Sequence, residues 1–514
     1  MIKNQFWQSK WMLALSASVL LALSFPPFDL SILQIPALLF MIRAALLSES
    51  KKEVLLYTYP GFVLWNLFST YWLMMATVAG GVAAILANAL IMVLPLLLIR
   101  SFFRSGLHPV AAAIFSAAAW VTYEFLHHRW DLAWPWLTLG NAWSNHTIMI
   151  QYISWTGVLG ISFWVMGSAA LFYAWLSESS RKVLGAFLSF FLFFPVLSLV
   201  NLALYEPPKG EPVEVVVVQP DSDSYQTFGG HASLDQLIDK LITLSDSART
   251  ESTDVILWPE NAVDTFLTRH SPLLSVLSDS MRAWDTRLIT GSGFAEFYDQ
   301  STPLPQVTRQ SSAGRPYNMY NSALLIDESG LESVYKKGRL VPIVERFPFL
   351  DFFHRIDIFG LVDWPQIGGY GKGYEATLFD SGPSYTSPLI CYDSVFPGWV
   401  NEFVDEGAQF LAIVTNDGWW GNSHGHVQHF AYARLRAIEQ RMWVARSANN
   451  GISGIISPDG GVRVETEYQT EDAFSYTIYT NPERTFYNRM GDWPGYLSLL
   501  LLIAGVVLVR RESR

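Results

Sequence analysis

Seven apolar stretches occupy the first 204 residues, at about 11–28, 31–47, 54–74, 80–99, 109–127, 148–177 and 183–204, and an eighth lies at about 494–509. Each is near the ~20 residues a helix needs to cross ~30 Å of hydrocarbon, although the second and eighth are short. Between the seventh and the eighth runs a long segment, 206–492, of ordinary mixed composition. Such a chain folds in two solvents: lipid around its flanks and water around its middle. The first stretch does not read as a cleaved leader, because no small-residue cleavage site follows it and further apolar stretches come after.

Charge divides the chain the same way. Of 34 Lys and Arg residues, 13 lie outside residues 205–492, against 7 of the 45 Asp and Glu. The flanks are therefore basic and the middle strongly acidic, within an overall net charge of −11. An acidic middle argues against nucleic acid as a partner, since phosphate binding needs a positive field. If the apolar stretches alternate across a membrane, Lys3, Lys10, Arg43, Lys51, Lys52, Arg100, Arg104, Arg181, Lys182, Arg510, Arg511 and Arg514 share one side, and only Arg129 falls opposite. The positive-inside rule then places both termini in the cytoplasm and 206–492 outside it. Glu124, His127, His128, Arg129 and Asp131 cluster at a span end, where a solvated loop is the simplest reading. The single cysteine excludes an internal disulfide and any multi-cysteine metal site.

The middle segment alternates strand and helix patterns. Val213–Val218 reads as a buried strand after a Pro-rich linker, 206–212, and residues 232–250 have helical spacing. Val255–Trp258, Arg287–Gly291, Pro388–Ile390 and Phe410–Thr415 read as further strands, and 426–445 as a helix. Ser322–Ile326 with Leu331–Tyr335, and Gly451–Ser457 with Val462–Glu465, flank turn residues and read as hairpins. This pattern predicts a layered α/β domain.

In such domains polar groups at strand ends form sites. Glu260 follows Val255–Trp258, where partial desolvation favours a general base. Lysines follow the hairpin strand ending near Tyr335 and are placed to stabilise an oxyanion. Cys391 ends the strand Pro388–Ile390, the position of a nucleophile if a base and a cation lie close. Alone, Glu260 reads equally as a surface acid, the lysines more simply as solvated bases and Cys391 more simply as a buried structural thiol.

Together these residues resemble the nitrilase superfamily. Trp258-Pro-Glu-Asn261 is similar to its glutamate motif, Tyr335-Lys-Lys337 with Leu340-Val-Pro342 to its lysine motif, and Ile390-Cys-Tyr-Asp393 to its cysteine motif. Thr415-Asn-Asp-Gly-Trp-Trp-Gly421 and Arg446-Ser-Ala-Asn-Asn-Gly451 match as well. The resemblance implies an αββα sandwich with Glu260, Lys337 (rather than Lys336) and Cys391 as catalytic residues. The arrangement of spans resembles one membrane branch, the apolipoprotein N-acyltransferase family. That branch implies about eight spans, with a transmembrane domain over 1–205, an extracytoplasmic catalytic domain over 206–492 and a last helix and tail over 493–514. It also implies a phospholipid acyl donor, a diacylated bacterial lipoprotein as acceptor, a cysteine thioester, no cofactor or metal, and the bacterial inner membrane. Supporting roles fall to Glu345 as the orienter of Lys337, Tyr392 and Asp393 beside the nucleophile, Trp419 and Trp420 along the acyl path, and Arg446 on the loops or a headgroup phosphate. Three positions depart from the family: Arg339 where many members carry His, Ile343-Val344 before Glu345 in place of Phe-Gly, and Asp393 in place of Glu. A membrane-tethered amidase using water as acceptor is the alternative with the same triad. A transporter is disfavoured by the scarcity of polar residues in the spans.

Overall fold

The computed structural model describes residues 5–299, 303–357 and 360–512, so Lys3 and Arg514 of the charge count lie outside the described residues. The chain divides into two compact units: Met1–Glu206 with Ser423–Glu439 and Thr485–Arg514, and Pro207–Asn422 with Gln440–Arg484.

The first unit is helical. Helices Lys10–Ser24, Gln34–Leu47, Lys51–Thr70, Val78–Arg104, Pro109–His127, Val158–Glu178, Arg181–Ala203 and Trp493–Glu512 stand where the apolar stretches predicted them. Five, beginning at Val78, Pro109, Val158, Arg181 and Trp493, are long and apolar enough to cross a membrane. The helices from Lys10 and Gln34 have 15 and 14 residues, about 21–23 Å of rise, short of a full hydrocarbon crossing. The stretch expected from 148 starts its long helix only at Val158, because Gly157 adopts φ 61°, a left-handed turn that breaks the preceding helical turn. Leu86, Leu90 and Leu94 on one helix, and Leu188, Leu192, Val196 and Leu199 on another, are exposed at helical spacing. Stripes this apolar are stable only against lipid.

Several polar side chains inside this unit pair with one another or with the backbone, as a medium without water favours. Asn88 donates to Asn66 at 2.7 Å, and its Oδ1 accepts from Tyr123 at 3.1 Å and meets His127 Nε2 at 3.0 Å. The helix His424–Gln440, far along the chain, is built into the same unit up to Glu439. Gln428 donates to the carbonyls of Pro26 and Ser69, and Tyr432 donates to that of Trp136. Glu439 Oε1 accepts the Val158 amide at 2.7 Å. That places a carboxylate at the positive end of the helix from Val158. The helix ends before the expected 445 because Arg441 turns left-handed, φ 54°.

The second unit is a sandwich of two sheets. The first begins with β1 (Pro212–Gln219), β2 (Val255–Leu257), β3 (Val263–Leu267), β4 (Arg287–Phe297), β5 (Arg309–Gln310), β6 (Pro316–Asp327) and β7 (Gly330–Lys336). The second contains β8 (Phe379–Asp380), β9 (Tyr385–Ile390), β10 (Phe410–Thr415), β11 (Val444–Ala448), β12 (Gly454–Ile456) and β13 (Val462–Glu465), and β14 (Asp472–Tyr479) returns to the first. The orders are β14-β1-β2-β4-β6-β5, with β3 on β4 and β7 on β6, and β13-β12-β11-β10-β9-β8. β1 packs on β11, β4 on β10 and β6 on β9. The central pairs β1–β2, β2–β4, β9–β10 and β10–β11 are parallel. They are buried on both faces, which is why Val215–Val218 and Phe410–Thr415 read as unbroken apolar runs. Helices Leu234–Ala248 and Leu273–Trp284 cover the outer face of the first sheet against Val216, Val218, Ile256, Leu288, Leu324 and Ile326. Strand alternation therefore turns Asn321, Ala323, Leu325 and Tyr335 towards the second sheet.

Candidate active site

Three strand ends converge on the inner face of this sandwich. Trp258 is buried on the outer face, its Nε1 donating to Ser245 Oγ at 2.8 Å, and this fixes the exit of β2. Glu260, two residues on, points inward and is 4% exposed. Position 291 has to be glycine, because a Cβ there would stand 2.5 Å from Glu260 Cα. Lys337 extends β7, its amide donating to Asn321 O at 2.9 Å. Cys391 leaves β9 with φ 48°, a strained conformation for a non-glycine residue that aims the thiol away from the strand.

Lys337 is the hub. Its Nζ donates to Glu260 Oε1 at 3.1 Å and to Glu345 Oε1 at 2.8 Å, and the side chain is 1% exposed. Asn321 Nδ2 donates to the same two oxygens, at 2.8 Å each. Glu345 Oε2 accepts the Val341 amide at 2.7 Å, and Glu260 Oε2 accepts the Asn416 amide at 3.0 Å. The result is a closed ring of two carboxylates bridged on one side by an ammonium and on the other by an amide. Burial pulls against the Lys337 ammonium, but Glu260 and Glu345 outweigh it and hold its pKa well above the ordinary value. Burial pushes the Cys391 thiol up, the Glu260 charge adds to that push, and Lys337 opposes it. The resting residue is therefore a thiol that needs a base. Thr415 hydrogen-bonds the Cys391 side chain and donates its own hydroxyl proton to Asp417 Oδ1 at 2.9 Å.

Lys336 is elsewhere. It pairs with Glu296 at 2.5 Å and lies over the Tyr320 ring. Arg346 pairs with Asp351, and Arg339 reaches Glu402 at 4.0 Å, so neither competes for Glu345. Asp393 takes three donors: Tyr335 Oη at 2.8 Å, the Arg339 amide at 2.7 Å and the Ile390 amide at 3.2 Å. It thereby ties the lysine loop to the cysteine loop, and burial pushes its carboxyl up to about 6. Tyr392 is buried edge-on to Phe396. Arg446 is fully buried and meets Asp417 Oδ2 at 2.6 Å. A guanidinium so enclosed holds the ends of β10 and β11 together and is out of reach of a headgroup. Trp420 is buried, whereas Trp419 is 38% exposed and helps line a 310 Å³ cavity with Tyr225, Asn261 and Asn416. Gly369–Gly373 is pinned to the site, Tyr370 N donating to Glu345 O and Gly373 N to Lys337 O. Asn321 escaped the sequence reading, and Tyr335 and Thr415 entered it only as members of motifs, without a role of their own. β6 carries Asn318, Asn321 and Ser322, so its composition did not single Asn321 out.

A sandwich carrying glutamate, lysine and cysteine at three strand ends defines a carbon–nitrogen hydrolase domain, and residues 215–481 match the carbon–nitrogen hydrolase profile. Residues 17–171 match that of the apolipoprotein N-acyltransferase N-terminal domain. Among curated relatives, apolipoprotein N-acyltransferase of Chlorobaculum tepidum is 30% identical over 96% of each chain. That of Bradyrhizobium diazoefficiens is 29% identical over 77% of this chain and 73% of its own, and that of Allorhizobium ampelinum 31% over 79% and 74%. The chain belongs to the apolipoprotein N-acyltransferase family and is a membrane protein.

Proposed function

We propose that this chain moves an acyl group from a membrane phospholipid, through a thioester on Cys391, to the N-terminal amine of a diacylglyceryl-cysteine lipoprotein. The observation that carries the mechanism is the ring around Lys337, which holds a base and a cation together at a buried thiol. Glu260 takes the thiol proton as sulfur attacks the ester carbonyl, and Lys337 with backbone amides after Cys391 stabilises the tetrahedral oxyanion. Glu260 returns the proton to the glycerol oxygen as the C–O bond breaks and lysophospholipid leaves. The acceptor amine then attacks the thioester, Glu260 takes a proton from nitrogen, and the thiolate recovers it.

The basic flanks and acidic middle favour residues 1–205 and 493–514 as the membrane part and 206–492 as a catalytic domain on the periplasmic side of a bacterial inner membrane, with both termini cytoplasmic. Both substrates are lipids, so the bilayer supplies much of their concentration and orientation.

The test uses the purified full chain with a phospholipid and a synthetic diacylated lipopeptide. Mass spectrometry should find one added acyl chain on the peptide amine and, without peptide, an acyl adduct on Cys391. Free fatty acid as the only product would replace this reading with an amidase-like hydrolase. An adduct persisting in Cys391→Ala would remove the nucleophile assignment.

A further inference from the structure

Asn321 has an orphaned acceptor. Both hydrogens of its Nδ2 are committed, one to Glu260 and one to Glu345. The amide cannot flip, because a flip would set its carbonyl oxygen against two carboxylate oxygens. The Oδ1 therefore has a fixed orientation, and among the described residues it has no hydrogen-bond partner although the residue is 4% exposed. A buried acceptor left open costs about 1–3 kcal/mol, so its persistence in a site this ordered calls for a ligand.

The other acceptors nearby are spoken for. Glu260 Oε1 already takes Lys337 and Asn321, and Glu260 Oε2 takes the Asn416 amide and has one lone pair left for the travelling proton. A primary amine attacking a thioester carries two N–H groups. One gives its proton to Glu260, and the second stays on nitrogen into the product amide and needs an acceptor. The ester that reacts in the first half-reaction brings no such donor to its carbonyl. Building on the function proposed above, we propose that Asn321 Oδ1 is the second contact of the attacking amine, making Asn321 a catalytic residue of the transfer step that selects a primary amine as acceptor. In that step the nitrogen lone pair forms the C–N bond, the C–S bond breaks, one proton passes through Glu260 to the departing thiolate, and the other N–H remains bound to Asn321.

Asn321 also clamps the two carboxylates, and that role serves both half-reactions, so the test separates them. Acylation of the full-length enzyme by phospholipid and transfer from acyl-enzyme to a diacylated lipopeptide are timed in single turnovers. For slow variants the thioester is loaded from a p-nitrophenyl ester. Asn321→Ala should slow both steps, with transfer falling about tenfold further than acylation, the worth of one buried hydrogen bond in a transition state. An N-methylated lipopeptide has no second N–H left for Oδ1 once one proton is given up, so it should transfer about tenfold more slowly than the primary amine in the wild type and no more slowly than the primary amine in Asn321→Ala. Equal losses in the two steps of Asn321→Ala, or the same N-methyl penalty in wild type and Asn321→Ala, would overturn the proposal. Failure of the wild type to acylate Cys391 would instead strike the function on which it rests.

Discussion

Glu345→Gln isolates the part of the site that orients the lysine. At 2.8 Å and an effective dielectric of about 20, the gross attraction between Glu345 and Lys337 is about 6 kcal/mol. Most of it offsets the desolvation of the two groups, and Lys337 keeps Glu260 at 3.1 Å, so the ammonium is not stranded. The glutamine, however, cannot satisfy its neighbours. Glu345 accepts from Lys337, Asn321 and the Val341 amide, all donors. Whichever way the new amide turns, its NH2 opposes one of them, leaving a buried donor unpaired at about 1–3 kcal/mol. We expect a melting temperature lower by roughly 2–8 °C in detergent. The larger effect is kinetic. With one carboxylate gone, Lys337 relaxes onto the base Glu260 and away from the developing oxyanion, a loss of about 10²–10³ in rate. The assay follows a fluorescent acyl chain from phospholipid onto the enzyme, and from enzyme onto lipopeptide. Both steps should fall alike, since Lys337 serves both tetrahedral intermediates, and Glu345→Asp should fall between wild type and Gln. A Glu345→Gln enzyme that acylates within about threefold of wild type would refute the orienting role.

Lys337→Ala should abolish acylation while Lys336→Ala retains it, because only Lys337 faces the carboxylate ring; the reverse order in the adduct assay would mean the lysine register is wrong. Glu260→Gln should slow turnover yet speed alkylation of resting Cys391 by iodoacetamide near pH 8, since removing the Glu260 charge lets the thiol pKa fall. Glu439→Ala removes the carboxylate of a buried pair with Arg436 at 2.8 Å and the acceptor of the Val158 amide, and should cost about 3–5 kcal/mol, read as a melting temperature roughly 10 °C lower. Asp393 titrates at about 6 in the fold against an ordinary 3.8, so its contribution favours the fold fully below 3.8 and is lost as pH rises through 6. The stability advantage of wild type over Asp393→Asn should thus be larger near pH 4 than near pH 7.5, and an advantage that grows with pH would contradict it.

Much of this was legible in the sequence because local rules suffice there. Hydropathy locates a helix that has only lipid to face, and a run such as Val215–Val218 has no stable place but a doubly covered strand. The proposed triad was legible because each member follows the end of a strand, and strand ends announce themselves by the switch from apolar to polar residues. Asn321 was not legible because it lies within a strand, where only register gives it meaning. Asn321 matters because β6 pairs with β7 so that its carbonyl meets the Lys337 amide. The grouping of His424–Glu439 with the membrane helices was equally hidden. An amphipathic helix in a mixed segment reads as a cover for the nearest sheet, and nothing in its spacing reports that Gln428 and Glu439 find backbone partners hundreds of residues away.

The departures from the family pattern concern loop joints rather than chemistry, and the reason is geometric. Asp393 is shorter than the usual glutamate, yet it still collects Tyr335, Arg339 and Ile390 as donors, because Tyr335 reaches across from β7 and is itself held by Trp399 Nε1 at 3.0 Å. Arg339 contributes to this joint through its backbone amide, while its guanidinium lies over the Phe396 and Trp399 rings. Burial, joined by the charges of Glu260 and Asp417 against that of Lys337, holds the protein's only cysteine as a protonated thiol, a poor target for oxidants. In the proposed mechanism an ester carbonyl draws the Lys337 donor onto its oxygen and frees Glu260 to take the thiol proton. Activation in that mechanism is a property of the loaded site, because the charges around the resting thiol favour its protonated form.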